Sequence, residues 1–197
     1  RGMQINRVGL INGKDTLPLT FNHANDSLII QMDREYKGGE AFRLFIDYVA
    51  RPDELKDIGG SQAINSDKGL YFVDVDSVDE SRPTQLWTQG ETQSNSVWFP
   101  TIESPEQKTT TEIFITTDSA FKTLSNGLLR GTINNNNGTF TWHWKQDFPA
   151  APYLVMIAVG DFAIVKDKWN GIEVSYYVDP AYEKYARQTF GKTPEMM

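Results

Sequence analysis

Cysteine is absent from these 197 residues, so disulfides and thiol chemistry are closed to the chain. Histidine is scarce, with His23 and His143 the only two. A hydrolytic zinc centre takes three protein ligands and a water, and neither histidine has a setting that suggests one. His23 sits among polar turn formers and His143 between two tryptophans. Long apolar runs are missing too. The most continuous, Tyr153–Gly160 (YLVMIAVG), falls far short of the roughly 18 residues of a helical membrane span. There is no excess of positive charge. The formal net charge is −7, which argues against a non-specific nucleic-acid binder, because that needs a basic face. No G-x-S-x-G elbow, P-loop or dinucleotide fingerprint occurs. The opening RGMQINRVGL has no signal-peptide pattern, so an exported parent would carry its signal upstream, and nothing else assigns a compartment. What is present is an ordinary globular balance, 39% hydrophobic and 23% charged. The length suits one large domain or two small ones and buries roughly 70% of the unfolded surface.

The pattern is that of short strands between turns. Ile5–Ile11, Leu17–Phe21 and Ser27–Met32 read as strands, with Asn12-Gly13-Lys14 and Asn22–Asp26 as turns. Phe42, Leu44, Ile46 and Tyr48 place one apolar face on a further strand. A helical turn is expected at Pro52–Asp57, ended by Gly59-Gly60. Leu70–Val75 follows the turn Asp67-Lys68-Gly69. Lys108–Thr117 is rich in β-branched residues. Asn126-Gly127 predicts a hairpin in which Leu128–Ile133 pairs back on Phe121–Leu124. Thr139–Lys145 alternates aromatic and polar residues. Tyr153–Gly160 is the best candidate for a strand buried on both faces, and Trp169-Asn170-Gly171 turns a last hairpin. Asp179-Pro180 then caps a helix over Ala181–Phe190. Turns at this spacing predict an all-β sandwich with a short C-terminal helix.

One stretch holds residues a plain strand does not need. In Thr84–Pro105 (TQLWTQGETQSNSVWFPTIESP) a period-two segment runs to Gln89, Gly90 frees the backbone, and Glu91 follows at once. Trp98-Phe99-Pro100 brings the chain back toward a core. On spacing alone Glu91 reads as a solvated loop glutamate.

The order Thr88-Gln89-Gly90-Glu91, Trp98-Phe99-Pro100, Pro105 resembles the aminopeptidase N family of zinc peptidases, which includes leukotriene hydrolase. Ser125-Asn126-Gly127, and Tyr153-Leu154 with Val159-Gly160-Asp161-Phe162, resemble further motifs of the same family. Each of these also has a purely structural reading, as hairpin glycine, strand and turn. The likeness runs from about Asp67 to Gly191. Residues 1–60 suit the domain in type but carry no motif. It implies the family's saddle-like N-terminal β domain over residues 1–178, with its first strands missing. Residues 179–197 would start the helix leading into the catalytic domain. It implies that Gln89 and Glu91 line a peptide site, with Glu91 gripping the substrate's α-ammonium through a charge-assisted hydrogen bond. The partners implied are a peptide N-terminus and the catalytic domain, which would hold the zinc, its ligands and the general base. This chain has neither the G-x-M-E-N nor the His-Glu-x-x-His pattern. No cofactor, metal ligand or catalytic residue is therefore assigned to it, and alone it is expected to be inactive. Thr101-Ile102-Glu103 departs from the family pattern, which has Asp where Glu103 stands. The alternative is a non-catalytic β-sandwich binding or scaffold module.

Other groupings have simpler readings. Trp142, Trp144, Trp169, Tyr176 and Tyr177 could stack a sugar, but aromatics on alternate strand positions belong first to a core. Asp74/Asp76 and Asp79/Glu80 lack the glycine-bearing loop of a calcium site. Glu91 and Glu103 have nothing that fixes a glycosidase separation. The family resemblance also carries structural expectations. Glu91 is accessible and free of internal ion pairs. The first sheet has an unpaired edge. The C-terminal helix is only partly buried.

Overall fold

The computed structural model describes residues 2–55, 68–79 and 81–197. The fold is all-β with short helical turns at its C-terminal end. Its strands are β1 (Met3–Asn12), β2 (Asp15–Pro18), β3 (Phe21–Ala24), β4 (Ser27–Ile30), β5 (Leu44–Ala50), β6 (Leu70–Val73), β7 (Gln85–Thr88), β8 (Thr109–Asp118), β9 (Lys122–Ser125), β10 (Leu128–Asn134), β11 (Thr139–Ala150), β12 (Ile157–Gly160), β13 (Ala163–Trp169) and β14 (Ile172–Val178). The chain divides into two compact units.

The first unit comprises Arg1–Tyr71, Gln89–Thr109 and Ala150–Leu154. Its sheet has the order β2-β1-β5, all antiparallel. Val8 faces Ile46 and Leu10 faces Leu44 across β1 and β5, and a bulge between Ile5 and Arg7 keeps Ile5 opposite Tyr48. Val8, Leu10 and Val97 are buried, so the 89–109 segment supplies part of this core. The polar run expected as one long turn is shorter. Phe21–Ala24 is strand, and only Asn25 and Asp26 turn, both with positive φ (51° and 61°). That is the two-residue hairpin geometry Asn and Asp tolerate. A 3-10 turn forms at Pro52–Glu54. The expected Gly59-Gly60 stop, Asp67 of the following turn, and Glu80 lie outside the described residues.

The second unit comprises Phe72–Thr88, Thr110–Pro149 and Val155–Met197. One sheet has the order β6-β7-β12-β9 and another β10-β11-β8. β9 and β10 therefore do not form the hairpin that Asn126-Gly127 suggests. β9 pairs with β12, while β10 pairs with β11. The dipeptide is a corner between sheets. Gly127 has φ +81°, and a Cβ there would lie 2.0 Å from the Lys145 carbonyl oxygen. The Asn126 side chain accepts from the Met156 N–H at 2.6 Å. The apolar run at 153–160 is also shorter as strand than expected. Pro152–Leu154 is a 3-10 turn, and within β12 Ala158 and Gly160 are buried while Ile157 and Val159 are only half-buried. Trp144 is buried and donates its indole N–H to the fully buried Thr123 hydroxyl at 2.8 Å. β13 and β14 pair along their whole length around Asn170 and Gly171.

After β14 the Asp179 carboxylate accepts from the Ala181 N–H at 2.8 Å, the expected cap. The segment begins as a 3-10 turn over Pro180–Tyr185 and becomes α-helix, α1, only over Ala186–Phe190, with α2 at Thr193–Met196. Ala186 is buried, whereas Tyr182, Tyr185 and Phe190 are 63%, 47% and 44% exposed. This matches a helix with one unfilled face.

Candidate functional site

The 84–105 stretch divides at the end of β7. The strand stops at Thr88, so Gln89 and Glu91 do not share a continued strand face as period-two spacing suggests. Instead the chain enters a tight loop in the first unit. The Gln89 N–H donates to the Gly69 carbonyl at 2.9 Å. Gly90 is buried, and a Cβ there would sit 2.4 Å from the Tyr153 carbonyl oxygen and 2.5 Å from Asn95 Cγ. Only a residue without a side chain fits this approach of two backbones. The Gly90 carbonyl accepts from the Ser94 N–H at 3.0 Å, closing the turn that carries Glu91. Gly69, at φ +68°, passes equally close to Ser94: its Cβ would lie 2.0 Å from the Ser94 carbonyl oxygen.

Asn95 holds this loop down. It is fully buried, donates from Nδ2 to the Pro152 carbonyl at 2.6 Å and accepts from Trp98 Nε1 at 2.8 Å. Its own carbonyl accepts from the Trp98 and Phe99 amides. A buried amide with these partners is satisfied, and removing it would strand a carbonyl and an indole N–H. Glu103 serves the same loop, because its carboxylate accepts from the Ser96 N–H. The family's shorter Asp is thus replaced by a side chain that reaches a backbone donor. That commitment sets Glu103 apart from Glu91 and leaves the pairing of the two glutamates without a chemical basis.

On this frame Glu91 is exposed, and its carboxylate makes no hydrogen bond or ion pair among the described residues, whereas Gln89 is half-buried. The loop therefore presents one uncommitted negative charge beside one amide. Sequence reasoning named these two as candidates and assigned nothing to Ser94 and Asn95. The sequence holds one hint of their burial, since Ser94-Asn95-Ser96 runs directly into the apolar Val97-Trp98-Phe99, but it names none of their partners.

The remaining groupings resolve structurally. Asp74 turns its carboxylate to the Val78 and Asp79 amides, both at 3.0 Å. Asp79 accepts from Ser81 and pairs with Arg82, and the hydrogen bonds from Ser81 hold its carboxyl below the usual range. These acids organise their own loop. Trp144 and Tyr176 are buried, and Trp169 and Tyr177 are half-buried. His143 shares a 2.8 Å hydrogen bond with Glu112 and stacks on Phe114 with centroids 4.3 Å apart. His23 lies on β3 opposite Leu28. Among the described residues no group of three or more His, Asp or Glu side chains could hold a metal ion, and no helix is long and apolar enough to cross a membrane. The zinc that the family resemblance implies is expected in a catalytic domain and not in these residues.

An all-β domain with a glycine-anchored loop that offers a free carboxylate is the class that these features define. Residues 1–154 match the Peptidase M1 N-terminal domain, and the chain belongs to that family. The match begins at residue 1, so it includes the strands in which the sequence shows no motif. Among solved structures, the M1 zinc metallopeptidase of Deinococcus radiodurans superposes with a TM-score of 0.70 at 16% identity, over 89% of this chain and 37% of that one. A variant of that enzyme bound to a Tyr-Ser-Ala substrate gives 0.67 at 14% identity, over 93% and 41%. At these identities the likeness is one of fold. Among curated relatives, transcription initiation factor TFIID subunit 2 of Gallus gallus is 25% identical over 167 residues, 81% of this chain. Leucine aminopeptidase 2 of Vanderwaltozyma polyspora is 29% identical over 92 residues, 47% of this chain. The chain spans 14% of the length of each of these two relatives.

Proposed function

We propose that this domain forms one wall of the substrate site of a zinc aminopeptidase and contributes binding, not bond cleavage. Glu91 receives the α-ammonium of the peptide, and Gln89 hydrogen-bonds beside it. The zinc, its ligands and the general base belong to a catalytic domain outside residues 1–197. The supporting observation is the uncommitted Glu91 carboxylate on a loop pinned by Gly90 and Asn95. A rigid, solvent-facing acid without an internal partner is what an incoming ammonium requires.

The test is Glu91→Ala in the full-length enzyme. Losing one charged hydrogen bond of roughly 1.5–3 kcal/mol lowers kcat/KM on free-amine peptides by about ten- to a hundredfold. N-acetylated peptides should be unaffected, and Glu91→Gln should cost less because it keeps an acceptor. Equal kcat/KM for wild type and Glu91→Ala would refute the assignment. The domain alone should release no amino acid from an aminoacyl reporter, and zinc-dependent release by the purified 197-residue chain would refute that part.

A second reading has its own support, because two of the relatives carry the name of a transcription initiation factor subunit, from Gallus gallus and Danio rerio. In that reading the domain is a binding or scaffold module without peptidase chemistry. Stoichiometric zinc and aminopeptidase activity in the full-length protein would exclude it.

A further inference from the structure

The chain contains four Asn–Gly steps, at Asn12, Asn126, Asn137 and Asn170. Because glycine leaves the following amide nitrogen unshielded, an Asn–Gly step is open to intramolecular attack. The deprotonated glycine nitrogen adds to the asparagine Cγ, ammonia leaves from Cγ, and a succinimide forms. Water then opens either carbonyl of that ring, giving aspartate or isoaspartate. Hydroxide supplies the deprotonation, and nothing is oxidised or reduced. The rate in a folded chain depends on whether the asparagine amide can swing onto the next nitrogen.

We propose that Asn12 and Asn170 are spontaneous modification sites, while Asn126 and Asn137 are protected by the fold. Asn126 is half-buried, and its Oδ1 is held by the Met156 N–H at 2.6 Å. A Cβ on Gly127 would lie 2.0 Å from the Lys145 carbonyl oxygen, so the backbone that would have to shift for ring closure is packed against β11. Asn137 is exposed, but its Oδ1 accepts from both the Thr139 N–H at 3.1 Å and the Thr139 hydroxyl at 2.7 Å. Both bonds must break before Cγ can turn. Asn12 and Asn170 differ from Asn126 in exposure and space, and from Asn137, whose Gly138 is equally open, in having no side-chain hydrogen bond to break. Each is exposed at a hairpin turn, and neither side chain makes a hydrogen bond among the described residues. Positions Gly13 and Gly171 have open space around them.

The outcome at Asn170 reaches the fold. Asn170 and Gly171, with φ of 46° and 84°, make the two-residue turn of β13–β14. Isoaspartate inserts an extra main-chain carbon into that turn, which has no slack for it.

The experiment ages the 197-residue chain at mildly alkaline pH, once folded and once in denaturant, and maps all four steps by peptide mass spectrometry with isoaspartate detection. In denaturant the four convert at similar rates. In the folded chain Asn12 and Asn170 stay close to their denatured rates, and Asn126 and Asn137 fall by roughly tenfold or more, as loss of competing hydrogen bonds requires. Folded rates at Asn126 or Asn137 equal to that at Asn170 would overturn the assignment. So would protection of Asn12 and Asn170 to the same degree as Asn126.

Discussion

Gly90 is the residue on which the candidate site most depends, although it carries no chemistry. Its buried position against the Tyr153 carbonyl and Asn95 brings two distant stretches of backbone into contact. Gly90→Ala should destabilise the domain by about 1–3 kcal/mol, the usual range for overpacking a tight site. Chemical denaturation would read this as a lowered midpoint. Glu91→Ala, by contrast, removes a solvated side chain and should stay within about 0.5 kcal/mol. The two variants together separate the frame from the group it presents. Glu91 was legible in the sequence only through the family pattern, because an exposed glutamate after a glycine has no signature of its own. The anchoring by Asn95 was not legible, since its partner carbonyl at Pro152 lies 57 residues away.

Among the elements, strands were legible but, apart from the β13–β14 hairpin, their partners were not. The β-branched run Lys108–Thr117 marked β8 nearly to the residue, and the alternation in Thr139–Lys145 marked the start of β11, which runs on to Ala150. The Asn126-Gly127 pair misled, because a turn dipeptide specifies a change of direction and not which strand is met afterwards. The C-terminal segment behaves as its composition suggests. With Tyr182 and Tyr185 uncovered, amides across Pro180–Tyr185 and α1 should exchange faster than those of β12, and equal protection would contradict a partly buried helix. Arg187 ties this segment to β13 through two polar contacts, one of them a 2.6 Å hydrogen bond to the Lys166 carbonyl that does not titrate. Asp167 accepts from the Lys168 N–H, the Tyr176 hydroxyl and, at 3.4 Å, the Arg187 guanidinium, and these hold its carboxyl below the usual range, the Lys168 N–H foremost. A lowered folded-state pKa means that the contribution is complete above the unfolded aspartate value and is lost as pH falls through the folded one. Acidification should therefore loosen the contact between α1 and β13, and Asp167→Asn should abolish that pH dependence. Tyrosine and amide NMR shifts during an acid titration would record both.

For the whole molecule, the composition excluded more than it assigned. The absence of cysteine rules out thiol chemistry, the acidic balance argues against non-specific nucleic-acid binding, and among the described residues neither histidine belongs to a group of three that could hold a metal ion. The division into two compact units was not legible, because each unit is assembled from three separated stretches. Among the described residues β2 and β5 are the outer strands of the first sheet, and Val49 on β5 is 43% exposed. Open edges of this kind favour strand addition. The isolated chain should associate with rising concentration in sedimentation velocity, and Val49→Lys should suppress that association. A strictly monomeric wild-type chain at high concentration would show that the edge is already blunted.

The hydrogen bond from Asn95 to Pro152 also sets an order of events in time. A ribosome releases residue 95 long before residue 152, so the loop bearing Glu91 has no anchor until more than fifty further residues have emerged. Contacts of such separation form late, because chain closure must precede any gain from them. Pulse-labelled exchange during refolding should accordingly find the β1–β2 hairpin protected before the Ser94 to Phe99 amides. The surface proposed to meet a peptide would then be among the last parts of the domain to take shape.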